Sequence, residues 1–363
     1  PPPRQTHPTA PDHPSQISPF RERALPRAGA MAGVDAQLWT VGSSLVESDE
    51  RMRSGRMAAD RLWPTGFSLL DDAIGGGLRA GSLTLLAGPQ GLGKSTYALQ
   101  IARNTARNGR PVVYFSYEHD AEDMTQKLLA LEPGEADDST LVRVNAVRAG
   151  YDDLSTNSLE SRLERIPAGL EALNRVAQYA NHLYLHRSTG TRTDIETIST
   201  IATDVHQHTG IPPLVIVDYL QKVRVHGDHD EEERSTRIVE GLKDLAIDLT
   251  APILAIAAAD KEVLGTGTRM RANNLRGSSA LAYESDIVLV LNNKYDIVAR
   301  HHLTYDATNA DRFREWAVLT VEKNRFGRDG VVMEFKTRFD QARFEAEGRT
   351  VREILVGDRI TAE

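Results

Sequence analysis

The order of apolar segments predicts an α/β fold: a mostly parallel sheet flanked by helices, with a C-terminal β-hairpin. Three observations carry that expectation. Short, uninterrupted apolar runs recur from Leu83 onward, the pattern of strands buried on both faces. Stretches of helical period separate them, and this alternation places helices over both faces of a parallel sheet. Near the end, two apolar runs follow each other closely, as the arms of a hairpin do.

Taken in order, residues 1–60 are rich in Pro, Arg, Ser and Ala without sustained periodicity, and read as a disordered tail. Residues 61–345 carry the domain. Its expected strands are Leu83 to Ala87, Val112 to Ser116, Leu183 to His186, Leu214 to Val217, Ile253 to Ala257, Ile287 to Leu291 and Val318 to Val321, with Val331 to Phe335 as an edge arm of the hairpin. Ile238, Leu242, Leu245 and Leu249 share one helical face, and Pro252 ends that helix before the next strand. The segment from 131 to 180 is charged and mostly helical, and 346–363 reads as a C-terminal tail.

Composition excludes several classes. With 363 residues, 40% of them hydrophobic, the chain can bury a sizeable core. It has no cysteine, which rules out a disulfide framework or a cysteine-bound zinc. No apolar run approaches the roughly 18 residues that span a bilayer, and the N-terminus lacks a signal-peptide layout, so a cytoplasmic location without membrane contact is expected. A net charge of −8 argues against coating nucleic acid by bulk electrostatics, although a few basic loops would be enough to hold a strand locally.

The chemistry enters at Gly88-Pro89-Gln90-Gly91-Leu92-Gly93-Lys94-Ser95, which satisfies G-x-x-x-x-G-K-[ST] between an expected strand and an expected helix. Such a loop wraps backbone N–H groups around phosphate oxygens, and the helix N-terminus adds positive potential. Gly88, Gly91, Gly93, Lys94, Ser95 and Thr96 are therefore the expected contacts to ATP, with Lys94 on the β- and γ-phosphates and Ser95 on Mg²⁺. The apolar run Leu214 to Val217 ends in Asp218, a carboxylate placed to hold the same Mg²⁺. Glu118, just past Val112 to Tyr117, is the candidate general base for hydrolysis.

Around these elements the chain resembles the C-terminal motor domain of DnaB-type replicative helicases, a RecA-like ATPase. The likeness rests on Pro64-Thr65-Gly66-Phe67 with Leu70-Asp71, Gly75-Gly76-Gly77-Leu78, Phe115-Ser116-Tyr117-Glu118, Asp218-Tyr219-Leu220-Gln221 and Lys323-Asn324-Arg325-Phe326-Gly327, and covers about 62 to 340. It implies that Lys323 and Arg325 act in trans on a neighbouring subunit's nucleotide, and hence a hexameric ring or other homo-oligomer. It also implies that Arg276, Gly277 and Ser278, within Asn274 to Ser279, contact single-stranded DNA, with Lys261, Arg269 and Arg271 adding positive charge nearby.

The chain departs from the family pattern in places. Ala257-Ala258-Ala259-Asp260 replaces a Ser-Gln pair whose glutamine senses the γ-phosphate, and alanine cannot make that contact. Gly277 stands where the family usually has glutamate, and Ser279 where it has glycine. Where the family has a helical collar domain, this sequence reads as the disordered tail, so coupling to primase is not expected. Asp228 to Glu233 forms an acidic run that would repel a backbone phosphate if it faced a channel, or would be bland if it faced outward. His226 and His229 beside it lack the spacing of a defined metal site. The leading expectation is an ATP-hydrolysing ring motor that translocates on single-stranded DNA and unwinds duplex. The alternative is a RecA-family ATPase switch, akin to the KaiC or RadA groups, that controls assembly or a partner without processive unwinding.

Overall fold

A computed structural model of the chain describes residues 40–54, 61–137, 140–154, 157–259, 268–275, 279–299 and 311–356. It divides into two compact units, Pro1–Arg61 and Leu62–Glu363. In the first, a helix (α1, Val41–Arg53) corrects the expectation of a disordered tail over those residues. Local chemistry accounts for it. Thr40 and Ser43 form a reciprocal capping box, and Glu47 with Arg51 and Asp49 with Arg53 pair one turn apart.

The second unit opens with β1 (Leu62–Trp63), α2 (Ser68–Ile74) and β2 (Leu78–Arg79), the two strands pairing as a small ribbon. The phosphate strand β3 (Leu83–Gly88) leads into α3 (Lys94–Arg107) and β4 (Val112–Ser116). Four helices follow: α4 (Ala121–Ala136), α5 (Val144–Tyr151), α6 (Leu159–Leu163) and α7 (Gly169–Tyr179). Then come β5 (Leu183–Arg187), α8 (Ile195–Thr209), β6 (Leu214–Asp218), α9 (Glu231–Leu249), β7 (Ile253–Ala258), α10 (Ser279–Glu284), β8 (Ile287–Asn293) and α11 (Lys294–Ile297). The chain closes with β9 (Trp316–Asn324), β10 (Val331–Arg338), β11 (Arg343–Phe344) and β12 (Arg349–Thr350).

The sheet runs β11-β10-β9-β8-β3-β7-β6-β4-β5, with β12 on β10. β8, β3, β7, β6, β4 and β5 are mutually parallel, whereas β9 to β12 add antiparallel neighbours. The hairpin β9–β10 is therefore present but lies inside the edge, because β11 and β12 both pair with β10. Period-2 alternation sends successive strand side chains to opposite faces. Leu86, Tyr114, Ile216 and Leu254 pack with Tyr97, Ile101 and Ala102 of α3. Leu85, Val113, Val215 and Ala255 pack with Ile198 and Ala202 of α8 and Val239 and Leu242 of α9. A satellite core joins α4 to α7 through Leu129, Val147, Leu163 and Ala172, which explains why that charged segment still folds.

The expected tail at 346–363 is also corrected, over its described residues. β12 pairs with β10, Leu355 is buried beside Val318 and Ile297, and Glu353 pairs with the buried Lys294 at 2.6 Å. The acidic run Asp228 to Glu233 is a helix start: Asp230 caps α9 by accepting from the Glu233 N–H at 2.8 Å, and Glu231, Glu232 and Glu233 fill the first turn. Carboxylates there meet the positive end of the helix dipole.

Candidate functional site

The expected phosphate loop is built by one strand, one turn and one helix. β3 is buried along its whole length and delivers Gly88 at its C-terminal end. A Cβ at Gly88 would lie 2.6 Å from the Leu291 carbonyl oxygen, so only glycine fits there. Gly91 lies in the open turn, and Gly93 caps α3 in the left-handed region (φ 76°), where a Cβ would strike the Phe339 ring at 2.5 Å.

The start of α3 differs from those of α4, α8 and α9. Asp120, Asp194 and Asp230 cap α4, α8 and α9 through their carboxylates, whereas α3 has neither a side-chain cap nor an acidic residue in its first turn. Its first N–H groups are left for an anion from outside the chain. Lys94 donates to the Gly88 and Pro89 carbonyls at 2.8 Å each, folding its ammonium back over the loop. Burial pushes its pKa down, against the opposing pull of Asp218 and Glu118. Thr96 lines an adjoining cavity of about 250 Å³ shared with Lys127, Arg143, Asn145, Phe339 and Asp340.

Asp218 ends β6 at only 2% exposure. Tyr114 on β4 donates its hydroxyl to Asp218 Oδ2 at 2.8 Å, and the Ser95 hydroxyl sits beside the same carboxylate. Burial pushes the Asp218 carboxyl above the usual carboxylate range despite those donors, and Glu118 adds to the rise. A hydroxyl and a buried carboxylate side by side, next to an anion-binding loop, are a donor set that fits Mg²⁺. β4 and β6 are in register from Val112↔Leu214 to Ser116↔Asp218, so Glu118 emerges at the same end of the sheet. It is exposed, on a turn fixed by Ser116 Oγ, which accepts from the His119 N–H at 2.9 Å and donates to the His119 carbonyl at 2.7 Å.

Sequence reasoning missed three neighbours. Tyr114 is hidden in an apolar strand pattern, and its role depends on register with β6. His119 and Lys127 both have pKa values pushed down mainly by burial, and both feel Asp218 and Glu118. The proximity of Glu118 to His119 in sequence was the one available signal. Ala258 is in register with Gly88, and its N–H donates to Gln221 Oε1 at 3.1 Å.

Lys323 and Arg325 are not brought to this cluster. β9 runs antiparallel to β8, so its last residues meet the start of β8: Lys323 pairs with Val288 and Asn324 with Ile287. Thr84, near the start of β3, also pairs with Ile287, so both cations lie at the edge of the sheet opposite the phosphate loop. Lys323 Nζ donates to the carbonyls of Ala282, Tyr283 and Ser285, and its pKa is pushed down by burial and by Arg325.

Arg276, Gly277 and Ser278, like Lys261, lie outside the described residues. Of the arginines expected to add positive charge nearby, Arg269 is turned into the domain and Arg271 is half-buried. Arg269 is buried against Thr320, and Arg271 pairs with Glu322 at 3.0 Å. His226 faces Asp194 at 2.9 Å, and His229 faces Glu233 at 3.0 Å. Burial acts to raise Asp194, but hydrogen bonds from His226 and Thr197 outweigh it and hold that carboxyl down to about 2.

Comparison with known proteins agrees with this fold. The "Replicative DNA helicase DnaB" of Pasteurella multocida is 27% identical over 302 residues, covering 80% of this chain and 56% of the relative. The "DNA repair protein RadA" of Mycolicibacterium smegmatis is 52% identical, but over only 61 residues, 17% of this chain and 13% of the relative. Among solved structures, a DnaB-like replicative helicase, described together with its interactions with primase, superposes with a TM-score of 0.65 at 18% identity, covering 84% of this chain and 68% of its own. The chain spans between about a quarter and about half of the curated DnaB relatives it matches. The family model described as "DnaB-like helicase C terminal domain" matches residues 63–346, from the entry ribbon through the edge hairpin, and the chain belongs to that family.

Proposed function

We propose that the chain is an ATP-hydrolysing ring motor that translocates on single-stranded DNA and unwinds duplex, with nucleotide held between subunits in a cytoplasmic oligomer. The observation that carries this reading is the division of the site: an uncapped phosphate helix with Lys94, Ser95, Asp218 and Glu118 at one edge of the sheet, and Lys323 with Arg325 at the other. A head-to-tail ring brings the second edge of one subunit to the first edge of the next.

In that arrangement the α3 N–H groups and Lys94 hold the phosphates, while the cavity beside Thr96 and Phe339 receives the nucleoside. Mg²⁺, held by Ser95 and Asp218, would neutralise charge on the β- and γ-phosphates. Glu118 accepts the proton of the attacking water, and Arg325 from the neighbour stabilises charge developing on the γ-phosphate. Single-stranded DNA is the polymer partner, held through Arg276, Gly277 and Ser278.

Steady-state ATPase assays with and without single-stranded DNA, alongside Glu118→Gln, test the reading. Stimulation by DNA is expected, with turnover in the variant reduced about 10²- to 10⁴-fold while nucleotide still binds. DNA-independent turnover would refute the motor. It would favour a RecA-family switch, the second reading, which the alanine at 258 and the short RadA likeness support. Strand displacement from a forked duplex separates the two.

A further inference from the structure

Asp286 is a carboxylate at 3% exposure that no step of the proposed hydrolysis uses. It sits where β8 begins, at the edge opposite the phosphate loop. Its Oδ2 accepts from the Leu83 N–H at 2.8 Å and from Lys243 Nζ at 2.7 Å. Oδ1 faces Arg325 Nη1 at 3.3 Å, and the Asp286 carbonyl accepts from the Arg325 N–H at 2.9 Å. Arg325 Nη2 donates to the Tyr283 carbonyl at 2.8 Å, so the guanidinium is fixed at two points.

Leu83 and Lys243 already satisfy Oδ2, and the Arg325 side chain is 42% exposed. An ion pair this open contributes little stability. What the second carboxylate oxygen and the Tyr283 carbonyl do provide is a fixed direction for the fork. Leu83 is also the first residue of the strand that ends at Gly88. One carboxylate thus fastens a subunit's own phosphate strand to the arginine it offers its neighbour.

We infer that Asp286 is the positioning residue for Arg325, aiming it at the nucleotide of the adjacent subunit and tying that aim to the phosphate strand of its own. The inference rests on the proposed trans role of Arg325. A misplacement of about 1 Å at a reacting centre costs about a hundredfold in rate. Asp286→Asn is therefore expected to lower DNA-stimulated kcat by about a hundredfold, with KM for ATP changed less than about twofold. Asp286→Asn/Arg325→Ala should be no slower than Arg325→Ala alone, because the two residues act as one unit.

Mixed oligomers decide the matter even where the asparagine variant is less stable. Lys94→Ala disables a subunit's own site but leaves its arginine intact, whereas Asp286→Asn keeps an acceptor oxygen for the Leu83 N–H of its own phosphate strand and spoils the arginine. Mixed in equal amounts, the two inactive proteins should regain about a quarter of wild-type activity, the share of interfaces that pair an intact site with an intact arginine in a head-to-tail ring. Asp286→Glu, which keeps the charge and pushes the guanidinium outward, provides the same readout if the asparagine variant does not fold. Failure of a folded Asp286 variant to complement, in a system where Arg325→Ala with Lys94→Ala does, would overturn the proposal. So would wild-type kcat in Asp286→Asn. If Arg325→Ala itself keeps wild-type kcat, the trans reading fails instead.

Discussion

Tyr114→Phe removes one hydroxyl from the centre of the site and leaves the packing of a fully buried ring unchanged. The lost hydrogen bond is the 2.8 Å contact to Asp218 Oδ2, and burial keeps the phenol protonated and therefore a donor. A hydrogen bond to a charged group contributes about 1.5–3 kcal/mol, and with Ser95 still beside the carboxylate a loss of about 2 kcal/mol is expected where Asp218 is ionised. The pH dependence has a definite sign. The folded pKa of Asp218 already lies above its unfolded value, so its contribution to stability is greatest in acid and is lost as pH rises through the folded value. Removing a donor to the charged form raises the folded value further. The gap between variant and wild type should accordingly be largest at pH above the folded value, where Asp218 is ionised, and shrink as pH falls through it, read by urea unfolding of the nucleotide-free protein. The acidic limb of kcat/KM for ATP should move to higher pH. A stability difference independent of pH, with an unmoved acidic limb, would show that Tyr114 does not stabilise the charged form of Asp218.

Two other substitutions probe the frame around the site. Gly93→Ala places a Cβ in the left-handed region against Phe339, a strain of about 1–2 kcal/mol that should weaken binding of a fluorescent ATP analogue by about tenfold. Unchanged affinity would mean that the loop adapts to the extra carbon. Arg103→Met leaves Glu132, 1% exposed, as a buried carboxylate without its bidentate partner, a cost of about 3–5 kcal/mol in the stability read by urea unfolding, most of it recovered when Glu132→Gln is added.

The residues that sequence alone makes legible are those whose meaning is local. The strands announce themselves because a parallel strand buried on both faces, such as Leu214 to Val217, has no polar alternation to obscure it. The phosphate loop is equally plain, since a strand, a glycine turn and a helix lie next to one another in the chain. Tyr114 and Asp286 are invisible for the opposite reason. The partner of Tyr114 lies 104 residues away, and the amide bound by Asp286 lies 203 away, so neither role exists until the strands are in register. The placement of Lys323 and Arg325 follows from hairpin direction, which the apolar runs reveal only as a pair of arms. Two signals were present and could have been used. Thr40 with Ser43 marks the start of α1 inside a Pro-rich stretch, and Asp230 with Glu233 marks the acidic run as a helix cap.

The bare start of α3 has a thermodynamic side. Where α4, α8 and α9 close their first turn with an aspartate, α3 has no such cap, and on the proposed function a dissolved anion takes that place, so part of the domain's cohesion depends on what surrounds it. Mass action fixes the amount: nucleotide at a hundredfold above its Kd adds about 2.7 kcal/mol to folding, and its removal takes the same amount away. On the proposed function, the thermal midpoint of this protein becomes a gauge of nucleotide supply. A drop in ATP loosens the fold at the place where hydrolysis begins, and starvation and heat act on the same helix.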